Sequence, residues 1–494
     1  MGWFTLSRDG ITSKAVAALS IVALVVLATV TVAIVGSRRI RMNPQQYIVG
    51  GRSFGPLFLW LLLAGEIYTT FTFLGAAGWA YARGAPTFYI LCYGVVAYII
   101  SYFLLPPIWR IAKDRALLTG PDFFRDRYDS VGLGVLAAVV SLVFIVPYVT
   151  LQLTGLQILL TIAGYGRFNA TVAVGIAFVL MTSFVYVAGL RGTAWASVVK
   201  DILVLGAVLF AGIALPIHFF GSPANVLTQV LRSHPNWLTL RHGTAPQGEV
   251  WFISTVLLTA MGFYAWPQSM SAAYSAKSED TLRRNAIFLP LYNLMIVLVF
   301  FAGCTALLVI PGLQGKSADQ SFMLVVQRFY PPWLLGLIAA AGCLAGLVPA
   351  SAQLLGAASV ISKNVLGDWA GIATGDRART AATRLCVLGV AAVALIVWLT
   401  AKATLVDLLL IAYSGITQFF PGIVFALVWK RATARAVGTG IICGVLVVAA
   451  FAYYKVDSLF GVNAGLFALA INTFVCVLLS ALQSGNRNET ANAC

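Results

Sequence analysis

The chain has 494 residues, of which 60% are apolar and only 10% are charged. Ordinary soluble domains contain roughly 25% charged residues, so this chain has too little polar surface to cover a water-exposed globule. Its apolar residues form continuous stretches of about 20 residues, the length that crosses a bilayer as a helix. They do not alternate as the strands of an outer-membrane barrel do. The composition therefore indicates an all-α polytopic membrane protein whose surroundings are the lipid bilayer.

The net charge of +16 is typical of basic cytoplasmic loops and does not indicate a nucleic-acid partner. The seven cysteines and three histidines show no CxxC, HExxH or other ligand spacing, so no cofactor and no enzyme active site are expected. The longest hydrophilic stretch, about 219 to 249, is too short for a soluble domain, and there is no GxxxxGK[ST] phosphate loop. Energy for transport is therefore expected to come from an ion gradient.

Hydropathy predicts thirteen spans, with approximate ranges 14–36, 56–80, 86–107, 132–163, 168–188, 195–218, 250–274, 285–310, 331–362, 384–401, 404–429, 434–454 and 461–482. The first is expected to be a retained helix and not a signal peptide, because its basic cluster follows it. When successive loops are assigned to alternate sides of the membrane, 22 of the 32 Lys and Arg residues lie on one side and 10 on the other. This bias predicts a multi-pass protein of the inner (plasma) membrane, with the N-terminus outside and the C-terminus in the cytoplasm.

One acidic residue, Glu66, lies well inside an apolar run, in the segment LLLAGEIYTTFTFLG. A carboxylate is costly in a membrane unless it is protonated, paired or facing a polar cavity, so it indicates a functional site. The alternative is a structural acid that is hydrogen-bonded to a neighbouring helix. The adjoining Gly65, Thr69 and Thr70 favour a local break in the helix, which would expose carbonyl oxygens to a cation and helix ends to a solute.

A second interruption lies five spans later, in GFYAWPQSMS, where Pro267 removes a backbone hydrogen bond. The residues that flank it are Tyr264, Trp266 and Gln268. An ordinary proline kink is the alternative for this segment taken alone. Breaks in spans two and seven are, however, what two inverted five-helix repeats place around a site at the membrane midplane. Polar residues of spans four and nine can converge on the same site.

An ordered set of short motifs resembles the sodium:solute symporters, carriers of proline, sugars, pantothenate and short monocarboxylates. The motifs are Gly50-Gly51-Arg52-Ser53, Tyr148 with Gln152, Ala188-Gly189-Leu190-Arg191 with Trp195, Pro267-Gln268, Ser351 with Gln353, and Pro421-Gly422 with Trp429-Lys430-Arg431. The resemblance implies two inverted five-helix repeats, an amino-acid/sodium symporter-like core, and alternating access to a central site. The expected domains are an extra N-terminal helix with a basic loop (1–55), the first repeat (56–219), an outer loop (220–249), the second repeat (250–430), and two C-terminal helices with a tail (431–494).

The resemblance also implies a Na+ site between carbonyl groups of span two and hydroxyl groups of span nine. It assigns the carbonyls to Gly65 and Tyr68. On span nine, Val348 and Pro349 occupy the positions where the family carries hydroxyls, which leaves Ser351 or Ser359 as the candidate. The acid that many members carry just after the tryptophan of span six is Ser197 here. Lys200 is expected near the inner end of span six, so that the pocket has no central Lys or Arg.

Together these features predict a secondary active symporter that takes up a small organic solute with a cation, Na+ or H+. The stretch GEIYTTFTFLGAAG resembles the monocarboxylate branch of the family, which favours a short monocarboxylate. If H+ is the ion, Glu66 would carry it, because a neutral acid no longer repels an anionic solute. The alternatives are a solute-sensing transporter-like subunit and a Na+-coupled amino-acid carrier. The expected solute-binding residues are Glu66, Thr69, Thr70, Gln152, Tyr264, Trp266 and Gln268.

Overall fold

The computed structural model describes residues 8–37, 44–167, 169–372, 375–400 and 403–492. Its first twelve α-helices are α1 (Arg8–Ser37), α2 (Pro44–Val49), α3 (Pro56–Ile67), α4 (Ala76–Arg83), α5 (Tyr89–Asp114), α6 (Gly120–Tyr128), α7 (Val131–Ala163), α8 (Ala170–Leu209), α9 (Leu215–Phe220), α10 (Pro223–Ser233), α11 (Glu249–Gly262) and α12 (Pro267–Tyr274). The remaining α-helices are α13 (Glu279–Asn293), α14 (Ile296–Val309), α15 (Ser321–Phe329), α16 (Pro332–Val360), α17 (Asp376–Thr400), α18 (Leu405–Ile416), α19 (Phe420–Val428), α20 (Ala434–Tyr453) and α21 (Ala464–Asn492).

Short 3₁₀ and π-helical segments occupy Gly50–Arg52, Phe71–Gly75, Ala85–Phe88, Phe210–Ala214, Gly315–Gln320, Ile361–Trp369 and Thr417–Phe419. Strand structure in the described residues consists of one antiparallel hairpin, β1 (Ser458–Leu459) with β2 (Val462–Asn463), and an isolated bridge between Phe54 and Ala276. The protein is thus almost wholly helical.

Within the described residues, ten helices are long and apolar enough to cross a membrane, and two bent helix pairs raise the number of candidate spans to twelve. The predicted class of all-α polytopic membrane protein is confirmed. The one remaining predicted span, 168–188, which is the fifth in chain order, corresponds to a shorter apolar helix, Ala170–Val185. This helix is the first part of α8, which kinks at Gly189, where the backbone has a positive φ of 55°. The domain boundaries and the membrane orientation stay predictions.

The two bent pairs are α3 with Phe71–Arg83, called here the first broken span, and α11 with α12, the second broken span; each bends by 51°. Both breaks fall where the sequence predicts them. In the first, Tyr68 leaves the helical region with φ −89° and ψ 85°. In the second, Trp266 is extended, with ψ 144°, because the residue before a proline is disfavoured in the helical conformation. Pro267 then begins α12 at the position where its missing N–H costs nothing.

The two broken spans are joined at one end by backbone hydrogen bonds. Phe54 N donates to Ser275 O at 3.0 Å, and Lys277 N donates to Phe54 O at 2.9 Å. Phe54 precedes the first broken span and Ser275 follows the second, so the bridge connects them on the side that the charge count predicts to be cytoplasmic.

The span α16 forms the centre of the helical packing. The most apolar part of this span is 89% buried, whereas in each of the other nine unbroken spans the corresponding part is at most 67% buried. Its glycines permit close approach, as the Gly342-xxx-Gly346 pattern predicts. A Cβ added at Gly346 would lie 2.8 Å from Thr70 Cγ2 and 3.0 Å from Leu156. The helix α16 therefore holds the break of the first broken span against α7.

Candidate functional site

A direct side-chain hydrogen bond joins the two broken spans. The hydroxyl of Ser269, in the first turn of α12, donates to Glu66 Oε2 at 2.5 Å. The other carboxylate oxygen of Glu66, Oε1, is buried and has no hydrogen-bond partner among the described residues. Glu66 therefore lies between the two breaks with one oxygen free to take a proton or to accept a donor. The sequence predicts Glu66 as a site residue but carries no signal that singles out Ser269.

Thr70 connects the first broken span to α7. Its backbone N and its hydroxyl both donate to Gln152 Oε1, at 3.3 and 2.7 Å. The amide nitrogen of Gln152 is buried and has no partner within the described part of the chain. Thr69 has a local role, since its hydroxyl oxygen accepts the N–H of Phe71 at 3.1 Å. Of the predicted residues, Thr70 and Gln152 are thus brought together, and Gln152 retains a donor that a solute can use.

Aromatic rings surround the second broken span. Trp266 is buried and packs against Tyr148, with ring centroids 5.0 Å apart, and against Tyr413 at 5.3 Å. Tyr264 and Gln268 are also buried, and Gln268 Oε1 has no hydrogen-bond partner among the residues described. Tyr413 comes from α18, a contribution that no sequence pattern indicates. The assignment of these residues to solute binding stays a prediction.

The ammonium group of Lys200 lies at the break of the first broken span, so the prediction that the pocket has no central Lys or Arg is wrong. The residue is fully buried. Its Nζ donates to Gly65 O at 3.1 Å and pairs with Asp201 Oδ1 at 2.8 Å. Gly65 makes the approach possible, because a Cβ there would lie 3.1 Å from Ser197 Oγ and 3.3 Å from Lys200 Nζ. A four-carbon stem carries the ammonium away from its own helix, which explains why position along the span is a poor guide to where the charge lies.

The Tyr68 ring and the Ser351 hydroxyl, which belong to two other predicted cation ligands, make contacts within the protein. The Tyr68 ring packs on Tyr292 with centroids 4.8 Å apart, and the Tyr292 hydroxyl donates to Asp201 Oδ1 at 3.2 Å. Ser351 Oγ lies 2.8 Å from Thr193 Oγ1, and it donates to Val348 O at 2.7 Å. The Na+ site of Gly65, Tyr68 and Ser351 stays a prediction.

A second polar region opens at the Arg83 end of the first broken span. A cavity of about 360 Å³ is lined there by Arg83, Asp407, Lys455 and Asp457 together with the rings of Trp79 and Trp251. These two rings and Tyr89 pack on one another, with centroid distances of 5.6 to 5.8 Å. The cavity is a charged vestibule with a buried aromatic wall, on the side predicted to be external.

Residues 47–444 match the model of the Sodium:solute symporter family. The uncharacterised symporter YhjB of Bacillus subtilis is 41% identical over 490 residues, which cover 96% of this chain and 99% of YhjB. A monocarboxylate transport permease protein of Rhizobium johnstonii is 29% identical over 453 residues, 89% of this chain and 90% of the permease. A solved structure of a Na+-coupled sialic acid symporter in a substrate-bound outward-open state superposes with a TM-score of 0.79 at 17% identity, covering 94% of this chain and 97% of that one.

Two broken spans that meet at a buried polar site belong to a multi-pass helical membrane protein with the same fold as the sialic acid symporter. The chain belongs to the sodium:solute symporter family, which confirms the predicted family. It is therefore a transport protein and not an enzyme. Membership implies a solute and Na+ as the coupling ion.

Proposed function

We propose that this protein takes up a short monocarboxylate by symport with a cation, Na+ or H+. The observation that carries the proposal is the hydrogen bond from Ser269 to Glu66, because it places an acid with one unpartnered oxygen between the two broken spans. Similarity to a monocarboxylate permease over 89% of the chain supports the choice of solute class.

The site offers donors for a carboxylate. The amide nitrogen of Gln152 is buried and has no partner among the described residues, and a buried unpaired donor loses about 1–3 kcal/mol that a bound acceptor can recover. The N-terminus of α12, which is the positive end of its helix dipole, follows Trp266 and favours negative charge nearby. A solute with a carboxylate and a short apolar body that lies against the packed rings of Trp266 and Tyr148 matches these features.

Charge balance links the solute to the coupling ion. Lys200 forms an ion pair with Asp201 at 2.8 Å, and among the described residues Glu66 has no ion pair of its own. A negative Glu66 repels an anionic solute in a medium of low dielectric constant, whereas a neutralised Glu66 does not. A cation that neutralises this acid and an anionic solute therefore favour each other's binding, and together they stabilise a state that neither stabilises alone.

Uptake into proteoliposomes tests the proposal. Purified protein is reconstituted, and radiolabelled lactate or pyruvate is supplied under an inward Na+ gradient, an inward H+ gradient, or neither. We expect accumulation above the external concentration under at least one gradient. Binding without accumulation would support the sensor alternative, and accumulation of amino acids in place of monocarboxylates would support the amino-acid carrier.

Thermal stabilisation provides a second measurement that needs no assumption about transport direction. A ligand that binds only the folded state raises the melting temperature. The panel comprises small monocarboxylates, amino acids and sugars, each in sodium and in choline buffer at two pH values. Stabilisation by monocarboxylates alone is the expected result.

A further inference from the structure

We propose that the ammonium group of Lys200 is the resident cation of the first broken span, held at the Gly65 carbonyl where family resemblance predicts Na+. With Lys200 present, the residues at this position do not fit Na+, and the lysine side chain takes the place of the ion. The proposal concerns the cation position alone and is independent of which solute is transported.

The break in the helix frees the carbonyl oxygen to which Lys200 donates. In a continuous α-helix the N–H of residue 69 would donate to the carbonyl of residue 65. Here Thr69 N donates to Ile67 O at 3.2 Å, so Gly65 O is released from the helical pattern. Lys200 Nζ donates to that oxygen at 3.1 Å. The last carbonyls of a helix carry partial negative charge, so the end of α3 stabilises a cation at this point.

The helix α16 lacks the hydroxyl groups that the family resemblance predicts as Na+ ligands. Val348, at a position where the family carries a hydroxyl, is packed in an apolar cluster with Ala33, Phe184 and Ala196. Pro349 has no side-chain oxygen at all. Ser351, the next hydroxyl along α16 after Pro349, is hydrogen-bonded to Thr193 and to Val348 O. A hard cation needs several converging oxygens, whereas an ammonium group needs at most three acceptors and here already has two.

The surrounding charges also select a single cation. Asp201 faces the ammonium at 2.8 Å and is held by the Tyr292 hydroxyl at 3.2 Å. A second positive ion beside the ammonium would be strongly repelled, because a buried site has a low effective dielectric constant. Lys200 and a Na+ ion therefore exclude each other at Gly65, and Na+ that drives transport in this protein uses other ligands.

Removal of the lysine should make the position available to Na+. Detergent-purified wild type, Lys200→Ala and Lys200→Gln are melted in increasing NaCl, with choline chloride keeping the ionic strength constant and no solute present. We expect a saturable Na+-specific rise of a few degrees in Lys200→Ala in addition to any Na+ response of the wild type. Lys200→Gln, which keeps a donor for Gly65 but loses the charge, provides the same comparison if the alanine variant does not fold. The control is Lys277→Ala, which removes an exposed lysine and should behave as the wild type does.

Two results would overturn the proposal. One is a Na+ response of equal size and midpoint in the wild type and in both Lys200 variants, which would mean that Lys200 and Na+ do not compete. The other is a folded Lys200 variant with no additional Na+ response, which would mean that the Gly65 carbonyl is not part of a cation position. Because the titration contains no solute, failure of the monocarboxylate proposal would leave either result unchanged.

Discussion

The Ser269 hydroxyl donates to Glu66 Oε2 at 2.5 Å, although the two residues are 203 positions apart in the chain. Each lies next to the break of a different broken span. Any relative movement of α3 and α12 therefore lengthens or breaks this bond directly. On the function proposed above, the contact would connect the protonation and solute occupancy of the site to the movement that alternating access requires.

Replacement of Glu66 by Gln should abolish pH-dependent accumulation while leaving solute exchange intact. Glutamine has the same length and retains an oxygen that can accept from Ser269, but it cannot carry a proton. Net uptake under an inward H+ gradient and exchange between equal solute concentrations are measured in the same proteoliposomes. Accumulation in Glu66→Gln that still rises with the H+ gradient would refute the proton role of Glu66.

Ser269→Ala provides the matched control for this variant. It removes the hydrogen bond between the broken spans and keeps the acid. We expect pH-dependent accumulation to persist, with a several-fold lower solute affinity, because Glu66 loses the group that orients it. If Ser269→Ala and Glu66→Gln had the same effect on pH dependence, the hydrogen bond, and not the proton, would be the coupling element.

Gln152→Leu should reduce both stability and solute affinity. The substitution leaves the backbone N–H and the hydroxyl of Thr70 without their shared acceptor, and a buried donor left unpaired costs about 1–3 kcal/mol. The control is Gln157→Leu on the same helix, where the lost contact is a single hydrogen bond to Thr161. Melting temperature and the solute concentration at half-maximal stabilisation are measured for both. Unchanged solute affinity in Gln152→Leu would show that its amide nitrogen does not contact the solute.

Gly356→Ala should impair uptake by displacing the second broken span. A Cβ at this position would lie 2.8 Å from Gln268 N and 3.1 Å from Gln268 Cα, and backbone atoms have little freedom to move away. The control is Gly389→Ala on α17, where an added Cβ meets nothing within 4 Å. That control should gain up to about 1 kcal/mol from helix propensity. Equal uptake by the two variants would mean that α12 tolerates displacement from α16.

Local stretches of sequence were enough to predict the spans, the two breaks and the acid at the first break. Hydropathy predicts where helices cross, and the small or hydroxyl residues around Glu66 and the proline at 267 predict where they are interrupted. The partners of these residues were not predictable in the same way. Lys200 and Ser269 reach the break of the first broken span through packing between helices far apart in the chain, which no local pattern encodes.

Asp319, in the Gly315–Gln320 segment that follows α14, should make stability depend on pH. Burial raises the pKa of its carboxyl to about 7, and the nearby negative Asp407 adds to the rise, whereas the hydrogen bond from Leu405 N and the charge of Lys316 lower it. The unfolded value is about 3.9. Between these two values the folded protein holds the proton that the unfolded chain has lost. Stability therefore falls as pH rises from about 4 to about 7 and is level above that range.

Asp319→Asn should remove this dependence, because asparagine keeps an oxygen for Leu405 N, at 3.0 Å, and does not titrate. The variant should be more stable than the wild type by up to about 4 kcal/mol above pH 7, with a smaller gain at pH 5. The melting temperatures of the detergent-purified proteins are compared between pH 5 and pH 8. The control Asp280→Asn replaces an exposed residue. It should change the melting temperature little at either pH. A difference between wild type and Asp319→Asn that is the same at both pH values would show that Asp319 does not titrate in this range. Because Gly78 of α4 packs directly on Asp319 Oδ1, the same ionisation is expected to loosen the contact between this segment and the first broken span.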